Sequence, residues 1–363
     1  MVTEEDDRRF MAAAIRLSLR HLGLTDDNPS VGALIVAPDG TILGRGVTAL
    51  GGRPHAETQA LAEAGERARG ATAYVTLEPC AHHGRTPPCA EALVAAGVSR
   101  VVGGAGDPDP RVAGRGYAIL RAGGVAVTEG VSEAEARSAL PGYLMRAERK
   151  RPYVTLKLAL SPDDMIGRMG NGQLPITGAI ARAQVQMLRA TNDAILVGIG
   201  TALADDPLLT VRLAGLETRS PKRFVLDRSA RLPLASALVR SADFPSVTVI
   251  VGNGASGKTS LAAHGVAIMS AELAADRFAL APLLTHLAET GVSTLMVEGG
   301  ADTARAFLAD NLVDRIVLFR GTSMIGAGSI ASPLRWDETP PGFRLARESR
   351  YGDDLCREWE RTS

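Results

Sequence analysis

Residues 70–89 read GATAYVTLEPCAHHGRTPPC, and this stretch decides the fold of the first half of the chain. Ala71 to Leu77 is a run of apolar and β-branched residues, which predicts a buried strand. The run stops at Glu78-Pro79-Cys80. After a polar loop, Pro87 to Ala96 predicts a helix ended by Gly97. Upstream, Pro54-His55-Ala56-Glu57 opens a helix predicted over Ala56 to Arg69 and closed by Gly70. Working outward, Asp7 to Leu22 spaces Phe10, Ala13, Ile15, Leu17 and Leu19 as an amphipathic helix. Val31 to Ala37 and Thr41 to Val47 flank Pro38-Asp39-Gly40 as a hairpin. Ser99 to Gly103 and Val125 to Val127 read as strands. Gly116 to Ala122 and Ser132 to Ala147 read as helices. Such alternation predicts a three-layer α/β domain.

The same stretch carries chemistry. Cys80 and Cys89 are separated by eight residues, and His55 stands ahead of them. A catalytic zinc takes three protein ligands of this kind and leaves a fourth position to water. The metal lowers the pKa of that water toward ~7. Deamination then needs a group that carries protons to a ring nitrogen and to the departing amine. Glu57, two residues from His55 on the first turn of its helix, is placed for that role. His-x-Glu followed by Pro-Cys and a second Cys is the arrangement of zinc deaminases. Both cysteines are read as beginning helices, where a helix N-terminus favours the thiolate. The competing reading is a structural zinc, with His82 or His83 as fourth ligand, or two free thiols. Those histidines are read instead as loop residues at the pocket or in solvent. Iron or cobalt would suit the same donors.

The 363 residues suffice for two domains with separate cores. Lys+Arg and Asp+Glu are 40 each, so no bulk positive field exists to hold a long nucleic acid. Aromatics are 4%, too few for rows of stacked bases. Cys80, Cys89 and Cys356 make no disulfide framework and fit a reducing compartment. No apolar run is long enough to span a bilayer and the acidic N-terminus has no signal-like core. A cytoplasmic protein is expected. Residues 148–152, ERKRP, read as a linker between domains at 1–147 and 153–363. In the second, strands are expected at Val154–Leu160, Ala194–Val197, Arg223–Leu226, Val247–Val251, Thr294–Val297 and Arg315–Phe319. Helices are expected at Ala179–Ala190, Leu280–Glu289 and Thr303–Leu308. Gly252 to Thr259, GNGASGKT, fits the Walker A pattern. Only Ser260 to His264 is left for the helix a P-loop requires before a strand at Val266–Met269, so an exposed loop is expected.

Gly70–Cys89 as a whole resembles the bifunctional deaminase–reductase family of riboflavin biosynthesis. Asn28-Pro29-Ser30-Val31-Gly32, Asp107-Pro108-Asp109-Pro110 and Val112-Ala113-Gly114-Arg115-Gly116 match it too. So do Asp193–Thr201, Asp205–Arg212 and Val297-Glu298-Gly299-Gly300 in the second half. The resemblance implies an N-terminal cytidine-deaminase-like domain and a C-terminal dihydrofolate-reductase-like α/β domain. It implies that the first removes an amine from a diaminopyrimidinone bearing a phosphorylated ribosylamino group. The second would use NADPH to reduce the ribosyl to a ribityl chain. His55, Cys80 and Cys89 would hold zinc, Glu57 would shuttle protons, and Asn28 and Arg85 would hold the deaminase substrate. NADPH would meet Ala159, Pro175, Thr201, Asp205, Gly300, Ala301, Asp302 and Thr303. Gln173, Arg189, Leu209, Arg212 and Glu298 would meet the reductase substrate. The implied protein is a homo-oligomer acting on a small phosphorylated pyrimidine, without nucleic acid or membrane. Gly299-Gly300 before a helix suits backbone approach to a phosphate. Arg189 and Arg212 suit bidentate phosphate pairing, and each alone suits a surface ion pair equally.

The chain departs from the family in three places. The usual Ser-Leu-Asp-Gly is Ser161-Pro162-Asp163-Asp164 here. Pro175 replaces a Trp before Ile176-Thr177. Asp109 replaces an Asn and adds negative charge near a phosphorylated ligand. The altered Ser161–Asp164 loop motivates an alternative in which the second domain no longer reduces and serves oligomerisation or substrate binding. The zinc motif by itself also admits a nucleic-acid base deaminase.

Overall fold

The computed structural model describes residues 3–83, 87–168, 170, 172 and 174–362. The chain separates into two compact units, Met1–Lys150 and Arg151–Ser363. In the first, a five-stranded sheet has the order β2-β1-β3-β4-β5. Its strands are β1 Gly32–Val36, β2 Ile42–Val47, β3 Thr72–Leu77, β4 Arg100–Ala105 and β5 Ala126–Thr128. β1 is antiparallel to both β2 and β3, and β3, β4 and β5 are parallel. Side-chain alternation assigns the layers. Leu34, Val36 and Tyr74 meet Phe10, Met11 and Ala14 of α1, Glu4–Ser18. Ala33, Ile35, Ala73 and Val75 face the other way. They meet Ala56, Ala60 and Ala64 of α2 (Ala56–Ala64), Ala90 and Leu93 of α3 (Cys89–Ala95), and Leu120 of α4 (Arg115–Ala122).

Helix α2 lies directly on β2. A Cβ at Gly44 would stand 2.1 Å from the Ala60 carbonyl oxygen, and one at Gly46 1.9 Å from that of Ala56. Two helices differ from expectation. The helix expected over Ala56–Arg69 ends at Ala64, because Gly65 takes φ 59° and ψ −142°, a region open essentially to glycine. A 3-10 turn, Gly65–Ala68, follows. Ser132–Ala147 divides into α5, Glu133–Ser138, and α6, Pro141–Arg149. Proline lacks the amide a helix interior needs, so Pro141 starts a new helix instead. α6 runs on through Arg149, and Lys150 turns the chain with φ 57°.

The second unit begins with β6 Tyr153–Leu160, β7 Met165–Arg168, α7 Ala179–Ala190, β8 Ala194–Gly198, α8 Ile199–Asp205 and β9 Lys222–Leu226. Next come α9 Ala237–Arg240, β10 Val247–Val251, α10 Lys258–Ala262, β11 Ala267–Ser270, β12 Leu273–Ala274 and β13 Arg277–Phe278. The unit closes with α11 Leu280–Glu289, β14 Thr294–Val297, α12 Ala301–Ala309, β15 Arg315–Arg320, β16 Ser329–Ala331, β17 Phe343–Tyr351 and β18 Asp354–Arg361. Nine strands form one sheet in the order β11-β10-β9-β8-β14-β6-β15-β18-β17. It is parallel from β11 to β15, and β18 and β17 add an antiparallel margin. Leu156, Leu196, Leu295 and Ile316 pack with Leu284, Phe307 and Trp359 on one face. Met296, Val317 and Phe319 pack with Ala181, Val185 and Leu188 of α7 on the other.

Arg223 on β9 is fully buried and has no carboxylate partner among the described residues. Its guanidinium donates to the carbonyl oxygens of Leu208 (3.0 Å), Ser241 and Pro245 and to Ser241 Oγ (2.8 Å). Burial pulls its pKa down to about 10, so it stays charged at neutral pH. No helix among the described residues is long and apolar enough to cross a membrane.

Candidate functional site

In the first unit, three loops converge. His55 is the N-cap residue of α2, with extended backbone. Cys89 is the first residue of α3 and is buried. Cys80 begins no helix, contrary to the sequence reading. It sits in the loop after β3, held by the Ala90 amide on its carbonyl oxygen (3.3 Å) and by the Cys89 amide on its sulfur (3.3 Å). His55 Nδ1 lies 3.6 Å from Cys80 Sγ and 3.4 Å from Cys89 Sγ. The three donor atoms all fall within 4.8 Å of one another. Around a tetrahedral zinc, with bonds of about 2.0–2.1 Å to nitrogen and 2.3 Å to sulfur, the N···S separation is about 3.5 Å. The donors therefore fit such an ion without rearrangement. His83 is exposed and lies 3.7 Å from Glu91, and neither His83 nor His82 joins the cluster.

Electrostatics suit the same ion. The Cys80 sulfur is held down to about 4 by the hydrogen bond from the Cys89 thiol and by His55. Cys89 is pushed up by sharing that proton and by burial. His55 is raised by its hydrogen bond to Cys80. Glu57 is 4% exposed. Its carboxyl is raised to about 7, by burial first and then by the Cys80 thiolate. A carboxyl balanced near neutrality beside the cluster can both take and return a proton.

Asn28 ends a turn in which its carbonyl oxygen accepts from Thr25 Oγ1 (2.7 Å). Its amide group packs on Gly52, where a Cβ would come within 2.3 Å of Nδ2. Gly52 belongs to the loop that leads into His55. Arg85 lies outside the described residues. Asp109 is paired with Arg111, whose Nε lies 3.0 Å from both carboxylate oxygens. The charge this departure adds is thereby matched locally. Asp107, raised by burial, accepts from the Asp109 amide (2.9 Å) and from Tyr143 Oη (2.8 Å).

In the second unit, Glu298 follows β14 at the centre of the sheet. Arg189 grips one of its oxygens through Nε (3.0 Å) and Nη2 (2.9 Å), and Lys157 reaches the other at 3.2 Å. Burial raises the Glu298 carboxyl, but Arg189 and Lys157 outweigh it and hold the group at about 2. Arg189 also donates to the Thr210 carbonyl oxygen (3.1 Å). Its fork is thus engaged by Glu298 and the backbone. Arg212 is exposed, and its backbone amide bonds to Gln186. Leu209 is buried with φ 58°.

The Gly300 amide donates to Thr201 Oγ1 (2.8 Å). Thr303 Oγ1 stands 2.4 Å from where a Cβ on Gly198 would be. Thr201, Gly300 and Thr303 are thus gathered where β8 and β14 end. Ala301 is buried at the start of α12, while Asp302 is exposed and pairs with Arg305 at 2.8 Å. Asp205 ends α8, its carboxyl raised by burial and by Glu298. Ala159 is half-buried on β6 and Pro175 is exposed before α7. Gln173 lies outside the described residues.

Sequence reasoning missed Lys157. Its signal was a lone cation inside the apolar strand VTLKLAL, where a lysine survives only with a partner. The Ser161–Asp164 departure keeps the turn. Asp164 takes φ 56°, the left-handed conformation the family's glycine allows and an Asp tolerates, and its carboxylate accepts from the Trp336 amide (3.0 Å). Asp163 accepts from the Gly326 amide at 2.9 Å. The Walker-like segment has a helix of five residues, and Lys258 folds back onto the Asn253 carbonyl oxygen (3.0 Å). The expected exposed loop borders a cavity of about 360 Å³ lined by Arg228, Ser229, Gly252, Gly254, Ala255, Ser256 and Leu273.

Residues 4–105 match the cytidine and deoxycytidylate deaminase zinc-binding region, and residues 152–356 match the RibD C-terminal domain. The riboflavin biosynthesis protein RibD of Aquifex aeolicus (strain VF5) is 38% identical over 353 residues, spanning 97% of each chain. Its counterpart in Escherichia coli (strain K12) is 37% identical over 365 residues, spanning 96% of this chain and 98% of that one. Acinetobacter baumannii RibD shares the fold with a TM-score of 0.88 at 36% identity, over 99% of this chain and 100% of that one. The diaminohydroxyphosphoribosylaminopyrimidine deaminase/5-amino-6-(5-phosphoribosylamino)uracil reductase of Thermotoga maritima gives 0.85 at 32%, over 99% of each. The chain thus belongs to the RibD family, joining a zinc-binding deaminase domain to a reductase domain of the NADPH-using type in riboflavin biosynthesis.

Proposed function

We propose that residues 1–147 deaminate a diaminopyrimidinone carrying a phosphorylated ribosylamino group, and that residues 153–363 then reduce its ribosyl to a ribityl chain. The observation that carries this reading is the trio His55, Cys80 and Cys89, donor atoms within 4.8 Å, with a buried Glu57 two residues from the histidine. His55 Nδ1 and the two sulfurs hold the zinc. When bound, that ion supplies an acidified water able to attack the amine-bearing carbon at neutral pH. Glu57 would take a proton from the attacking water and deliver it to the ring nitrogen. It would then take a second from the hydroxyl on the tetrahedral carbon and deliver it to the amine, which leaves as ammonia as the carbonyl forms. Asn28 and Arg85 hold the heterocycle and its substituent.

In the second domain, Thr201, Asp205 and the Gly300–Thr303 turn receive NADPH, with Ala159 and Pro175 alongside. Bound NADPH supplies the hydride for the sugar carbon. Glu298, fixed by Lys157 and Arg189, presents a charged acceptor to the ribosyl hydroxyls. The Leu209–Arg212 segment and Gln173 hold the rest of the substrate. The protein is read as a cytoplasmic homo-oligomer, for which the long exposed margin strand β17 offers a pairing edge.

Supplying the phosphorylated diaminopyrimidinone with and without NADPH, and weighing products by mass spectrometry, tests both steps. Ammonia release alone should occur without NADPH, and a gain of two hydrogens should follow its addition. Deamination of a single-stranded oligonucleotide in place of this substrate would refute the assignment.

A further inference from the structure

We propose that Glu78 is a positioning residue of the deaminase centre, its buried carboxylate tying the start of α4 to the loop that presents Cys80. The inference rests on the zinc reading above. Glu78 is 4% exposed and makes no ion pair among the described residues. One carboxylate oxygen accepts from the Gly114 amide at 3.0 Å. The other accepts from Gly116 at 2.9 Å and Tyr117 at 3.4 Å.

The need for this acceptor is local to α4. The first amides of a helix have no partner within it. Here the N-cap position is Gly114, with φ 74° and no side chain to offer. Glu78 reaches in from elsewhere in the chain and serves as the cap, with its charge at the favourable end of the helix.

The consequence falls on Cys80. β3 ends at Leu77, so Pro79 and Cys80 lie beyond the ladder that holds the strand. The Glu78 backbone amide donates to the Ala105 carbonyl oxygen at 2.9 Å, while its side chain holds α4. One residue is thus fixed from two sides. The fit is completed at Gly116, where a Cβ would stand 2.0 Å from the Pro79 carbonyl oxygen. Pro79 is pressed against the helix start by a contact that only glycine allows, and the next residue carries the thiol.

The Glu78→Gln variant of the full chain keeps the shape of the side chain but turns one acceptor into a donor that faces amide donors. Groups that orient metal ligands typically contribute about 10- to 100-fold to metal affinity or activity. Zinc should pass from E78Q to a chromogenic chelator faster by that factor. Deaminase kcat should fall with little change in KM, and NADPH-dependent reduction of separately supplied deaminated intermediate should hold at the wild-type rate. Gly116→Ala, whose methyl would press hardest on the Pro79 carbonyl oxygen (2.0 Å) and more lightly on Glu78 Oε1 (3.2 Å) while leaving the carboxylate in place, should give the same pattern if E78Q fails to fold. Wild-type zinc release in either folded variant overturns the proposal, as does equal loss of both activities. Wild-type protein that holds no zinc would instead remove the zinc reading beneath it.

Discussion

At Glu57 a single carboxyl combines burial with a neighbouring thiolate, and the two effects act in one direction. Glu57→Ala should leave zinc content at the wild-type level while ammonia release falls by about 10²- to 10⁴-fold, the usual worth of a positioned proton carrier. Metal analysis beside an ammonia assay checks this, and retained ammonia release would count against the role. Glu298 works with the opposite sign. Its folded carboxyl sits at about 2 against an ordinary 4.5. The depressed value adds stability that is complete above pH 4.5 and is lost as pH falls from there through about 2. By linkage the contribution approaches about 3 kcal/mol. Denaturation midpoints of wild type and Glu298→Gln should therefore converge on going from about pH 6 to about pH 3. His55, Glu57, Cys80 and Cys89 were legible in sequence because their spacing is dictated by short backbone geometry around one ion. Lys157, Glu78 and Arg223 were not, because each finds its partners on other elements of the fold, 15 or more residues away in the chain.

The elements that carry the centre are fixed by small residues. Helix α2 presents both His55 and Glu57, and it can lie on β2 only because Gly44 and Gly46 offer no side chain toward its carbonyls. Gly46→Ala places a methyl 1.9 Å from the Ala56 carbonyl oxygen. Overpacking typically costs about 1–3 kcal/mol, and a contact with backbone belongs at the upper end. The expected result is a lower melting temperature for the first unit together with weaker zinc retention. An unchanged melt would show that the helix can move aside freely. Most elements of both sheets were legible because buried parallel strands are short apolar runs. The divided helix around Pro141 was misread because apolar spacing continues across the break while the missing amide does not show in hydropathy. β17, FRLARESRY, was missed for another reason. Its residues are largely exposed on both faces, so no alternation marks it as a strand.

For the molecule as a whole, two continuous segments make two self-contained sheets. Cys80→Ser should lose zinc and deamination while NADPH binding and reduction of supplied intermediate stay at wild-type levels. Nucleotide fluorescence titration beside metal analysis reads both halves, and a parallel loss of NADPH binding would show that they depend on each other. The order of strands also bears on biogenesis. Every strand and donor of the first sheet lies ahead of Lys150, so that half can close around its core while the ribosome, adding about 5–20 residues per second, is still making the remainder. The other half has no such freedom. β15, the last of the parallel strands in its sheet, is covered on one edge by β18, Asp354–Arg361. A nascent chain must keep that edge from foreign pairing until β18 itself has emerged.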